Sequence, residues 1–235
     1  MRIKTLIAAA LLLAPLPAQA MEGHVEPLFW RLTLDQLERH WQDGQDATSW
    51  KLDGFIGGDY EKLRIKSEGE ATDGHGVEEL EIQALYSVMV DDFWDFQAGI
   101  RHDFRPQPQT SYATIGFQGL APQFLEVDAQ AFLSDEGDLT ARLETEIDLP
   151  LTRQLILQPH AEIDLSAQDV PSQTIGAGVS SLGLGLRLRY EIVQEVAPYI
   201  GLSWEKRLGE SARLSRAAGE DPDRVSFLAG IRLWL

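Results

Sequence analysis

The chain has 235 residues, 37 acidic and 20 basic side chains, and a formal net charge of -17, with no cysteine. That acidity argues against nucleic acid as a partner. The missing cysteine excludes disulfides, thiolate metal sites and a cysteine nucleophile.

The first twenty residues, MRIKTLIAAALLLAPLPAQA, carry Arg2 and Lys4, then an apolar stretch from Leu6 to Leu16, then Ala18 and Ala20. A basic start, a short apolar core and an A-x-A end are the pattern of a cleaved secretory signal. Residues 1–20 are therefore read as a leader, and its loss takes the charge from -17 to -19. Residues 21–27 form a short N-terminal segment, and residues 28–235 one β-barrel. After residue 20 no apolar run approaches the roughly 18 residues of a membrane helix. A chain that crosses a bilayer without such a helix does so as a closed barrel, where every backbone group is paired.

Strands are predicted near 29–41, 48–58, 61–70, 77–90, 93–103, 110–120, 123–133, 139–149, 154–165, 182–193, 196–207 and 224–235. In the first, LDQLERHW also fits a helix. The others alternate with period two, the mark of a strand with two unlike faces. In EKLRIKSEGE, Leu63, Ile65 and Ser67 oppose Lys62, Arg64, Lys66 and Glu68. In LTARLETEIDL, Leu143, Thr145 and Ile147 oppose Arg142, Glu144, Glu146 and Asp148. The strands run well beyond the globular mode of about 5–6 residues. A soluble sandwich or lipocalin-like barrel shares the alternation with its apolar face inward. A membrane barrel inverts it, with apolar residues on lipid and charges in the lumen.

Connections favour the membrane form. GGDYE, VDDF, LAPQ, PLTR and VQEVAP are tight, whereas QDGQDA, ATDGHG, FRPQPQ, SDEGD and two long loops near 166–181 and 208–223 fall on the other side. Short periplasmic turns and longer outer loops are the outer-membrane arrangement. An even strand count leaves both termini on the tight-turn side. Trp50, Tyr60, Phe93, Trp94, Tyr112, Phe124, Tyr190, Tyr199, Trp204, Phe227 and Trp234 are candidates for interfacial girdles. The last strand alternates to the final residue, which suits a strand that must close the barrel on the first.

The stretches WKLDGFIGGDYEKLRIKSEGE, FQGLAPQFLEVDAQAFLS, LTRQLILQPHAEIDL, LGLRLRYEI, APYIGLSWEK and RAAGED resemble the copper resistance protein B (CopB/PcoB) family of Gram-negative outer-membrane proteins, over about 28–235. The resemblance implies a protein of the cell outer membrane, set among its lipids and involved in copper resistance. It makes copper ion a candidate, weakly held ligand and a periplasmic multicopper oxidase a candidate partner, and does not by itself say what passes through the barrel. The terminal alternation resembles the signal that the outer-membrane assembly machinery reads, although Leu235 stands where phenylalanine is commonest. Typical members carry a Met- and His-rich segment before the barrel, whereas the leader here is succeeded by MEGHVEPLFW.

Copper ligands are sought among the few soft and imidazole side chains. Met21 and His24 lie near the mature terminus, although an amino-terminal copper clamp wants His third rather than fourth. Met89 and His160 fall on lumen faces, and Glu162 shares the face of His160. The plainer reading of His160 is a hydrogen-bonded lumen histidine. His102 falls on the lipid face near the outer rim, His75 in a loop and His40 near one. A catalytic role is not expected: His102 and Asp103 are adjacent, so they point to opposite faces of a strand. The expected function is control of copper passage or handling at the outer membrane. Two alternatives stand beside it: a non-selective cation-permeable porin-like barrel, and a structural or adhesive barrel acting through its outer loops.

Overall fold

The computed structural model describes residues 27–42, 44–193 and 195–234; Met21, His24 and the leader lie outside them. Twelve antiparallel strands close into a barrel: β1 Phe29–Gln42, β2 Ala47–Gly57, β3 Glu61–Thr72, β4 Gly76–Asp91, β5 Trp94–Arg105, β6 Thr110–Ala121, β7 Leu125–Ser134, β8 Leu139–Ile147, β9 Leu155–Ser166, β10 Gly178–Tyr190, β11 Val196–Arg207 and β12 Asp223–Trp234. Each strand pairs with its sequence neighbours, and β12 pairs with β1 in the register Leu34 to Leu233 and Trp41 to Phe227. The terminal alternation thus belongs to the closing strand, which leaves no open sheet edge.

The alternation is inverted, as a membrane barrel requires. Leu63, Ile65, Ile100, Ile115, Ile200 and Leu202 face outward and are each more than half exposed. Arg64, Lys66, Glu81, Gln83, Gln97 and Arg187 are buried in the interior. No helix among the described residues is long and apolar enough to cross a membrane; the strands cross it.

The first strand is β throughout. A bulge between Leu34 and Leu37 shifts its register against both neighbours. The extra residue sets Leu34 and Leu37 three apart on one face, and that spacing is why the stretch also fits a helix. A two-residue piece, Leu149–Pro150, continues β8 toward the tight turn. The ladder breaks opposite the step into Pro159, which has no N–H to donate.

Two girdle expectations are corrected. Tyr112 and Tyr199 are 6% exposed and face the lumen. Their parity decides it, because each lies an even number of residues from the lumen positions Thr114 and Ala197. Tyr199 fits because Gly230 opposite has no side chain: a Cβ there would stand 2.7 Å from the tyrosine ring. Exposed Trp30, Tyr60, Phe93 and Phe124 ring the tight-turn end, and Trp41 stacks on Phe227 toward the other.

The longer connections are partly ordered. A helix not anticipated from the sequence, α1 (Gly209–Ala218), lies between β11 and β12. It ends at Gly219, whose φ of 86° is the left-handed C-terminal cap that glycine adopts without a steric penalty. The Gly176 N–H donates to Ser211 Oγ at 2.8 Å, so the β9–β10 loop packs on α1. The same loop reaches β6, where Gln173 Nε2 donates to Tyr112 Oη at 3.0 Å.

Candidate functional site in the barrel lumen

Lumen side chains follow from strand parity, and the register sets carboxylates directly opposite one another. Glu68 pairs with Glu81 and Glu70 with Glu79 between β3 and β4. Glu126 pairs with Glu146 between β7 and β8, and Glu144 with Glu162 between β8 and β9. Like charges in direct cross-strand register are destabilising unless a cation lies between them.

In the middle of the barrel, cations do lie between them. Arg142 on β8 reaches Glu68 at 3.5 Å and Glu81 at 3.4 Å on β3 and β4, and holds Asp164 at 3.1 Å and Glu162 at 3.6 Å on β9. Lys51 on β2 bridges Glu68 at 3.0 Å and Glu144 on β8. Arg101 holds Glu81 and Asp103, each at 2.7 Å, and sits over the Phe132 ring at 4.7 Å. Lys62 pairs with Asp95 at 2.9 Å, Arg64 with Asp53 at 3.2 Å, and Lys66 with Asp128. Five of these pairs, Arg142 with Glu68 and Glu81, Lys51 with Glu144, Lys62 with Asp95 and Lys66 with Asp128, join non-adjacent strands and brace the interior.

Toward the two ends the pattern changes. Among the described residues, Glu70, Glu79, Glu126 and Glu146 have no Lys, Arg or His nitrogen within 4 Å. An acidic pair without an ion-pair partner thus lies on each side of the braced middle.

A cavity of about 440 Å³ occupies the tight-turn half of the lumen. It runs from Asp92 and Phe93 at the β4–β5 turn to Lys51, Glu68, Glu144 and His160 at the braced layer, and nine carboxylates and six cationic groups line it. At that inner limit Glu144, His160 and Glu162 come together, one ligand atom from each lying within 4.8 Å of the others. Two glycines lie beside this cluster. Gly185 and Gly183 of β10 stand opposite His160 and Glu162. A Cβ on Gly185 would meet the Arg187 guanidinium at 3.1 Å and make only ordinary contact with His160, 3.7 Å from its ring nitrogen.

Of the sequence-predicted ligands, the structure gathers His160 and Glu162. Met89 lines the same cavity but lies near the β4–β5 turn, in register with Asp95. Sequence reasoning misses Glu144, yet a signal for it exists: Glu144 has the lumen parity of Arg142, and counting back from the short PLTR turn sets it opposite Glu162. One imidazole and two carboxylates suit a divalent first-row ion better than Cu(I), which favours sulfur ligands.

The remaining histidines are structural. His102 Nδ1 lies 2.9 Å from Ser111 Oγ on the outer face, and His75 joins Gln45 between two loops. His40, near a loop, is not directed to solvent. It points inward, with Nδ1 3.1 Å from Ser226 Oγ and Nε2 3.1 Å from Glu38. Serine, imidazole and carboxylate stand here in the order of an acyl-transfer triad. However, Ser226 is only 4% exposed and lies 2.6 Å from Ser203 Oγ, while Arg187 binds Glu38 at 2.6 Å. A nucleophile needs substrate access, and this hydroxyl is walled into the β1–β12–β11 seam.

A closed barrel with an apolar outer face and a charged, braced interior is an outer-membrane β-barrel protein. Solved structures agree on the fold. The chain is similar to the NanC porin (TM-score 0.58, 12% identity, 84% of this chain and 98% of that one) and to the KdgM porin in complex with disordered oligogalacturonate (TM-score 0.54, 10% identity, 86% and 98%). At such identities the likeness concerns architecture alone.

The chain belongs to the CopB family: the model of the copper resistance protein B precursor (CopB) matches residues 28–235. It is 44% identical over 202 residues to the copper resistance protein B homolog of Pseudomonas syringae pv. tomato (85% of this chain, 68% of that protein). It is 42% identical over 217 residues to copper resistance protein B of Escherichia coli (91% and 73%).

Proposed function

We propose that this barrel serves copper resistance by governing passage of hydrated copper(II) across the outer membrane, with Glu144, His160 and Glu162 as the transit site. The observation that carries the reading is the carboxylate–imidazole cluster at the inner limit of an acidic lumen cavity. Carboxylate linings attract cations and disfavour anions. The acidic pairs Glu70–Glu79 and Glu126–Glu146, on either side of the braced middle, would draw a cation to the cluster from both directions. A mixed oxygen and nitrogen donor set holds copper(II) without the soft ligands that would trap Cu(I). Copper leaving the tight-turn end enters the periplasm, where a multicopper oxidase is the partner that fits. The family membership supports copper as the cargo.

The reading is tested in a strain lacking its own copy of the gene, complemented with the native chain or with His160→Ala. The native chain is expected to restore growth on copper and His160→Ala to restore less than half of it at equal outer-membrane abundance. Full restoration by both His160→Ala and Glu144→Gln would overturn the transit site.

A further inference from the structure

A lumen lysine already occupies part of the transit site. Lys51 Nζ is ion-paired with Glu144, one of the three cluster residues, and with Glu68 at 3.0 Å. Glu144 is on β8 and Glu68 on β3, whereas Lys51 rises from β2. The lysine is therefore a strut across the lumen that holds two anchors at once, one in the cluster and one on the strand beside its own. Arg142 also touches the cluster, at 3.6 Å from Glu162, but its shorter contact to Asp164 and its reach to Glu68 and Glu81 do not depend on that carboxylate.

We propose that Lys51 is a built-in surrogate for the cargo ion: it holds Glu144 until a divalent cation binds Glu144, His160 and Glu162, and it then falls back on Glu68 and releases the strut. The inference rests on the transit site proposed above and adds its regulation. The exchange balances. One dication replaces one ammonium group at Glu144, and the displaced ammonium keeps a carboxylate partner at 3.0 Å. No bond is made or broken other than coordination and ion pairing. A flexible four-carbon stem with a point charge suits such a swing, which the planar fork of an arginine would resist. The cavity ends at Lys51, Glu68, Glu144 and His160, so the strut lies at its inner limit. Arriving ions thus remove one brace of the constriction, the Lys51 strut, while Arg142 keeps its own contacts to Glu68, Glu81 and Asp164.

The test uses purified full-length barrel and copper(II) alone. In planar bilayers at fixed background salt, the native chain is expected to conduct more as copper(II) is added, by at least twofold at saturation. In the same series, Lys51→Met is expected to show the higher conductance without copper and to bind copper(II) about tenfold more tightly, which is about 1.4 kcal/mol. The nitrogen hyperfine signal of bound copper(II), lost in His160→Ala, reports occupancy of the site. Copper bound with that signal but with conductance unchanged or reduced in the native chain overturns the exchange while leaving the transit site standing. Absence of the signal in both native and Lys51→Met protein overturns the transit site itself. If Lys51→Met fails to insert, Lys51→Met with Glu68→Gln removes a lysine and one of its two carboxylates together. A copper affinity in that double variant equal to the native value then contradicts the exchange.

Discussion

Arg142 is the side chain on which the braced layer depends most. It touches Glu68, Glu81, Glu162 and Asp164, which lie on three strands. Removing one member of a buried ionic network leaves its partners uncompensated, at a cost of about 3–5 kcal/mol. Arg142→Met is therefore expected to lower the urea midpoint of the refolded barrel markedly, whereas Lys206→Met, whose pair with Asp223 is about 40% exposed, is expected to change stability by about 0–1 kcal/mol. Equal effects would mean that the lumen network contributes no more than a rim pair. His160→Ala should separate the two kinds of role. No strut depends on its imidazole, so the variant is expected to keep its stability within about 1 kcal/mol of the native value while losing copper transit.

Period two is enough to place the strands after β1 and their lumen faces, because each has a lipid side and a charged side. It fails where one residue alters the count. The β1 bulge moves Leu37 three positions from Leu34, and Asp35 and Gln36 both line the cavity. Composition also misleads where it outweighs parity, at Tyr112 and Tyr199, which look like belt aromatics although their neighbours two residues away face inward. Helix α1 has local signals that strand counting passes over. Ala212, Ala217 and Ala218 favour helix, Glu210 pairs with Arg213 one turn on, and Gly219 caps the end. In that exposed pair the Arg213 guanidinium holds the Glu210 carboxyl below its ordinary range. The cluster needs the strand register as well as parity: only the count across the short PLTR turn brings Glu144 beside His160 and Glu162.

Two expectations belong to whole elements. An epitope inserted in the β9–β10 loop, between 167 and 177, is expected to be reached by antibody on intact cells, and one in the PLTR turn is not. Labelling of PLTR on intact cells would invert the topology. Truncation after Arg224 removes the strand that pairs with both β1 and β11. It is expected to abolish the mobility shift between unboiled and boiled protein on a denaturing gel, because an opened sheet in lipid leaves two edges of backbone groups without partners. A truncated chain that still shifted would contradict closure by β12.

At the scale of the molecule, an apolar outer face, a charged interior and closure of β12 on β1 give a barrel of the outer membrane, and the CopB family membership ties it to copper resistance. A likeness to porins at 10–12% identity concerns the fold alone. Architecture therefore leaves the sign of the cargo open, and the lumen side chains must decide it. In the cavity, carboxylates outnumber cationic groups nine to six, and the acidic pairs beyond the braced layer have no ion-pair partner among the described residues. The most direct measurement is the reversal potential of the purified barrel in a planar bilayer under a tenfold salt gradient. Cation passage predicts a reversal potential of the sign set by the cation gradient, moving toward zero when Glu126 and Glu146 are both changed to glutamine. A reversal potential of the opposite sign in the native protein would contradict a cation pathway through this lumen.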